Sequence, residues 1–433
     1  MTSATVASGT TDAPTETSAK KPRRSSARQR LWVWLTLAVV SLVNLISSAP
    51  LQKDAHLHAW GDALQYYAMS EHTGAPVENP FALRMLSPWL VHLAHNVTGL
   101  SLDALWLTFT YLVTVATAVV FFEFARSYLK TQLFTAFVAT VLLASTFWYV
   151  QYNLSDPYLV DPLNNLLYVI AIWLAFRRKL VLFALVILVG SLNKETTLLL
   201  APLYPLLAWT RTRSLRDKDV LGGLAALLVA AAGYFGYRVW AQHFIGGDYG
   251  FGAGQHNGSL LENIRFSLSS HKGTEQAVLW DTFHFVWLIF GYGLFLQYRK
   301  HGIRSPMLVA SLWLFLCCLA GRFVATDTTR VFVMMAPLVL GMFAVVLDRH
   351  RSDAARLWVS VLAFLYLAIN FRWVPWPASF ALDAGALVVF ALLTFPPKWP
   401  SPPRVARPTP ADAVTEEFLM PPLPPLPKAA DNN

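Results

Sequence analysis

The sequence predicts an all-α integral membrane protein of about 12 transmembrane helices, with amphipathic helices in a long first external loop. Three observations predict it. Of the 433 residues, 55% are hydrophobic and 14% charged, and the mean hydropathy is +0.44, too apolar for a water-soluble chain of this length. Apolar runs of roughly 17 to 25 residues, the length a helix needs to cross a hydrocarbon core of about 30 Å, recur along most of the sequence. Lysines and arginines gather in short clusters between those runs, as they do in cytoplasmic loops.

Taken in order, residues 1–30 are rich in Ser, Thr and Ala and end in KKPRRSSARQR. They carry too little apolar surface to fold, and their charge predicts a disordered basic arm on the cytoplasmic side. The apolar run at 31–49 is long and lacks a small-residue cleavage pattern, so it is read as the first span and not as a cleavable signal. A polytopic domain over 31–397 follows, with further spans expected at 103–124, 131–149, 159–176, 180–193, 196–210, 220–241, 282–298, 306–321, 331–347, 357–371 and 379–395. Residues 398–433, containing PPKWPSPPRVARPTP in part and PPLPPLPK, predict a Pro-rich cytoplasmic tail of extended character.

The basic clusters order this topology. Arg126 with Lys130, Arg177 to Lys179, Arg211 to Lys218, Arg299 to Arg304 and Arg349 to Arg356 all fall on one side, together with both termini, so most of the 34 lysines and arginines are inside. Leu180 to Trp209 lies between two inside clusters and must therefore cross twice, turning at Asn193, Lys194 and Glu195. The external face receives two long loops, 50–102 and 242–281. In the first of them PFALRMLSPWLVHLAH reads as an amphipathic helix lying at the outer interface, its charges and length being wrong for a span.

A net charge of +9 does not point to nucleic acid, because the basic residues sit in membrane-loop clusters. Cys317 and Cys318 are adjacent within an apolar run, which makes neither a disulfide framework nor a metal-ligand spacing. The histidine pairs His56/His58 and His92/His95 are not accompanied by a zincin-type pattern, so no tight metal site is read; a loosely bound divalent cation bridging a phosphate and Asp54 or Asp62 is the only cofactor considered. The glycine-rich stretch 246–258 lacks the strand and helix that would make it a phosphate loop, and reads as an external flap.

Chemistry gathers on the external face. Ionisable groups at the ends of apolar runs are costly and are usually paired or functional. Arg84, Lys194, Arg322 and Arg330 are external cations that a phosphate or diphosphate would reward, and pairing with neighbours, such as Lys194 with Glu195 or Arg330 with Asp327, is the structural alternative. Asp62, followed by Tyr66 in GDALQYYAM, could take a proton from an attacking hydroxyl or cap a short helix. Asp156 and Asp161, each followed by proline in LSDPYLVDPLNN, suit helix starts, and could also bind sugar hydroxyls. His92, Glu195 and Asp327 complete the candidate lining.

The order of parts, with Asp62 in GDALQYYAMS after the first span, and PFALRMLSPWL, SLNKETTLLLAPLY and TDTTRVFVMMAPL further along, resembles the GT-C superfamily of polytopic glycosyltransferases. That resemblance, covering roughly residues 31–395 as an architecture, implies transfer of a sugar from a polyprenyl-phosphate carrier to a glycan, lipid or protein acceptor outside the cytoplasmic membrane of a bacterium. It implies Asp62 as the catalytic carboxylate, with Asp54 the alternative, since an adjacent acidic pair common in the family is absent here. Two other readings compete: a 12-helix transporter of a polar or anionic solute, disfavoured by unequal loops and polar residues gathered at one end, and a non-catalytic membrane assembly protein, which leaves the external charges unexplained.

Overall fold

The computed structural model describes residues 27–48, 62–75, 77, 81–241, 243, 265, 280–322, 328–349, 353–371 and 376–394. The expected flap at 246–258, the Pro-rich tail, most of the basic arm, Asp54, His56, His58 and Asp327 lie outside the described residues. All of the described regular structure is helical, with no strand among the described residues. Every expected span falls largely on helical backbone.

The chain runs through α1 (Ala27–Ser48), α2 (Asp62–Glu71), α3 (Leu86–Thr98), α4 (Leu102–Glu123), α5 (Leu133–Ser145), α6 (Tyr152–Ser155), α7 (Asp161–Phe176), α8 (Leu180–Asn193), α9 (Leu203–Thr212) and α10 (Lys218–Ala241). Then come α11 (Val286–His301), α12 (Pro306–Arg322), α13 (Thr328–Phe332), α14 (Ala336–Asp348), α15 (Asp353–Asn370) and α16 (Trp376–Thr394). Helix α1 begins at Ala27, inside the segment expected to be disordered, because LWVWLTLAVV draws the last turn of the basic arm into its own helix. Local signals set other ends: Ser101 accepts a hydrogen bond from the Ala104 amide at the start of α4. Gly99, at φ 70°, closes α3 in the left-handed conformation, with its N–H donated to the His95 carbonyl.

Three helical stretches are long and apolar enough to cross a membrane, Leu102–Tyr128, Lys218–Ala241 and Arg330–Asp348, or up to 5 if each of two bent pairs counts as one. That is fewer than the sequence led us to expect, and the reason is local. The run expected at 131–149 breaks at Thr146, which is extended (ψ 122°), and continues as a π-turn and α6 after a bend of 60°. The runs expected at 282–298 and 306–321 meet at Ser305 before Pro306 with a bend of 103°. Between α8 and α9 the chain passes through a 3-10 turn, Glu195–Leu200. Five more apolar helices, including Asp161–Phe176 and Leu180–Asn193, are shorter than a lone span requires.

Helix α14 is the centre of the molecule. Each residue from Ala336 to Leu347 is buried, so it is apolar all round, as a helix enclosed on every side must be. It packs on α5 and α11. Gly293 of α11 makes the approach close, since a Cβ there would stand 2.4 Å from Met342 Cγ and 2.9 Å from Val346 Cγ2. At the periphery the pattern inverts: α10 exposes Leu228, Val229, Phe235 and Val239, and α3 exposes Trp89, Leu93 and Val97 while burying Ser87 and Val91. The amphipathic helix expected over PFALRMLSPWLVHLAH is thus a 3-10 turn, Phe81–Leu83, followed by α3. Its inner side, with α2, joins a second apolar cluster of Tyr66, Met69, Phe81, Trp106, Tyr158 and Val160, which forms the floor of the region described next.

A charged cluster at one end of the helices

Five separated segments bring ionisable side chains together: the start of α2, the turn before α3, the start of α7, the turn after α8, and α13. Asp161 opens α7 directly before Pro162, a proline at the first turn needing no amide partner. It does not cap the helix. Its Oδ1 accepts from Lys194 Nζ and its Oδ2 from Arg330 Nη2, so one carboxylate joins cations from the α8 turn and from α13.

Lys194 is presented by extended backbone (φ −160°, ψ 131°) between α8 and the 3-10 turn. That turn is pinned on both sides. Asn193 accepts from Ser87 Oγ at 2.6 Å and donates to the Val160 carbonyl at 2.9 Å, tying the first turn of α3 to the start of α7. Thr197 donates to Asn164 Oδ1 at 2.7 Å, and Tyr168 donates to Thr196 at 2.6 Å. Gly190 permits the return: a Cβ there would lie 2.6 Å from Thr197 Cγ2.

Arg84 grips Glu195 with both arms, Nε to Oε2 at 3.0 Å and Nη2 to Oε1 at 2.5 Å, while Nη1 donates to Tyr66 Oη at 2.8 Å. Its guanidinium carbon stands 5.6 Å over the Phe81 ring. Arg330 reaches Asp62 more loosely, Nη1 to Oδ2 at 3.6 Å, and lies 5.3 Å over the Tyr152 ring. The side chains of Asp62 and Glu195 are each 33% exposed, whereas Asp161, Arg84, Arg330 and Lys194 are 11 to 17% exposed. The cluster therefore shows carboxylates outward over buried cations.

Charge states follow from that layering. Burial pushes the Asp156 carboxyl up to about 6, against the pull of the Tyr158 amide and Arg330, and with Asp62 and Asp161 adding to the rise. Burial raises the Tyr66 phenol beyond the usual range although Arg84 opposes it, so Tyr66 stays neutral. Burial would raise Glu195 as well, but the Arg84 guanidinium outweighs it and holds the carboxyl below the usual range. Lys194 is lowered, by burial first and by Arg330, with Asp161 opposing.

Of the residues singled out from sequence, Asp62, Arg84, Asp156, Asp161, Lys194, Glu195 and Arg330 meet here. The expected partners differ: Lys194 pairs with Asp161, not with its neighbour Glu195, because extended backbone sends adjacent side chains to opposite sides. Tyr66 is 1% exposed and supports Arg84 from below, so it is a strut and not a lining group. His92 is also removed from the site: its Nδ1 is bonded to the Ser70 carbonyl at 2.8 Å and its Nε2 to Asn96 at 2.9 Å, which docks α3 on α2. Arg322 ends α12, its side chain outside the described set, as are Asp327 and Asp54. The sequence sets Asn164 with Asp156 and Asp161 at the start of the fourth span and Asn193 only within a turn; Thr197 and Tyr168 were not anticipated, and a run of hydrogen-bonding side chains in SLNKETT between two apolar stretches was the available signal for the first. Among the described residues no group of three His, Cys, Asp or Glu is arranged to hold a metal ion.

No family model matches the chain, and no curated protein matches it in sequence.

Proposed function

We propose that the protein is a membrane-embedded glycosyltransferase of the GT-C kind, moving a sugar from a polyprenyl-phosphate carrier to a glycan, lipid or protein acceptor on the external face of a bacterial cytoplasmic membrane. The observation that supports this best is the meeting of Asp62 with Arg330, beside Arg84 and Lys194, at one end of an apolar helical body. In this reading the helical segments, including the short and bent ones, sit in the membrane to make about twelve crossings, packed so that broken spans are sealed by neighbours. Both termini are cytoplasmic, and the exposed apolar side of α3 lies among the outer headgroups.

In this reading the donor phosphate binds first, at Arg330. Arg330 is held tightly by Asp161 but only loosely by Asp62. A donor phosphate, with more charge and a better fit to a guanidinium, takes the Arg330 arm that faces Asp62 and frees that carboxylate. Asp62 then accepts the proton of the acceptor hydroxyl as its oxygen bonds to the anomeric carbon. The glycosyl–phosphate bond breaks with its electron pair passing to the phosphate, and Arg330, Arg84 and Lys194 meet the charge that develops there. Arg322 and Asp327 belong to the same proposed set by their place in the chain, and Asp54 is the alternative base. Asp156 and Glu195 would contact sugar hydroxyls, and a loosely bound divalent cation would sit against Asp62 and the phosphate.

Purified protein in lipid, offered a panel of radiolabelled polyprenyl-phosphate sugars and crude envelope acceptors, tests the reading. Transfer from at least one donor is expected. Saturable uptake of a polar solute into sealed vesicles, with no transfer from any donor, would overturn it in favour of a transporter.

A further inference from the structure

A second basic site lies at the other end of the molecule. Helix α9 runs away from the Glu195 turn to Thr212, and α12 begins at Pro306 and ends at Arg322, near α13. Between the end of α9 and the connection from α11 to α12 is a cleft of about 580 Å³, lined by Trp209, Thr210, Arg213, His301, Ile303 and Arg304. Among the described residues no carboxylate lines it. One buried nitrogen in its lining, His301 Nε2, has no hydrogen-bond partner, and a buried polar nitrogen without a partner is costly. Asp217, on the loop that follows α9, is used elsewhere, accepting the Asp219 amide at 2.9 Å as α10 begins.

We infer that this cleft binds the phosphate headgroup of an anionic phospholipid. Arg213 and Arg304 stand at its rim with Trp209 and Ile303, all four exposed. Tyr298 and Phe295, one and two turns back along α11, are exposed as well. Guanidinium groups framed by exposed aromatic and aliphatic side chains match a headgroup whose acyl chains continue along apolar helix surface, and a soluble phosphate ester would leave that rim uncovered. Nothing in the proposed transfer chemistry uses these residues.

Native mass spectrometry of the full chain in detergent, with phosphatidylglycerol and phosphatidylcholine of matched acyl chains, tests the inference without reference to sidedness or turnover. The wild type should prefer phosphatidylglycerol by about tenfold, and the double variant Arg213→Gln/Arg304→Gln should lose that preference to within about twofold. Both positions are exposed, so the variant should fold; its melting temperature is measured alongside. Unchanged lipid preference in a variant that is only less stable would overturn the proposal and leave these arginines as counter-charges to helix C-termini. Displacement of the lipid by millimolar glycerol 3-phosphate would overturn the assignment to a lipid.

Discussion

The residues that matter most are polar groups whose partners come from far along the chain. Their identities were legible in the sequence, because an ionisable side chain at the end of an apolar run stands out; their pairings were not. Lys194 and Glu195 are adjacent, yet one pairs with Asp161 and the other with Arg84. Breaking the second pair should cost stability: Arg84→Gln leaves Glu195 beside a neutral amide, and with Glu195 one-third exposed the loss should be about 2 kcal/mol, read as a lowered melting temperature in detergent. The double variant Arg84→Met/Glu195→Met should regain most of it. Asp156 carries the opposite sign. Its carboxyl titrates near 6 in the folded chain against 3.8 in the reference state, so folding favours the protonated form. No penalty applies below pH 4; one of about 3 kcal/mol accumulates as pH rises from 4 to 6 and is fully present above 6. Asp156→Asn should therefore raise the melting temperature at pH 8 and leave it unchanged at pH 4; an equal effect at both would show that burial does not set this group's charge.

At the scale of elements, apolar periodicity located the helices but not every interruption. Thr146 bends a run that reads as continuous in hydropathy, since a break depends on which backbone groups find partners in neighbouring helices; the turn at Asn193 to Glu195 and the division between 298 and 306 were expected, but not the 3-10 form of the first or the 103° bend at the second. The α8 turn shows the dependence most clearly. Gly190 looks like any glycine in an apolar helix, but in the folded chain it faces Thr197, whose hydroxyl is held by Asn164. Thr197 is β-branched and buried, so it cannot swing away from an added methyl. Gly190→Ala should destabilise the protein by about 1 to 3 kcal/mol and displace Lys194. Gly236, with open space around it, serves as the control, and Gly236→Ala should be neutral or slightly stabilising.

The whole molecule is an apolar helical body with an ion-paired cluster at one end and a basic cleft at the other. The sequence showed the helical character and the polarity of the two ends, because charge excluded from apolar runs must collect at their termini. The number of crossings was less legible, since a bent or short helix is sealed by neighbours that hydropathy does not reveal. Removal of residues 1–25 or 405–433 should leave transfer intact, and lost turnover on either truncation would move a working part of the protein into the tails. The central claim is that Asp62 is the base of a sugar-transfer site built on Arg330. Its most direct test is to measure transfer rate and donor binding together for Asp62→Asn. The rate should fall by at least about a hundredfold with donor affinity kept or improved, because the asparagine no longer competes for Arg330. Full turnover by that variant would contradict it.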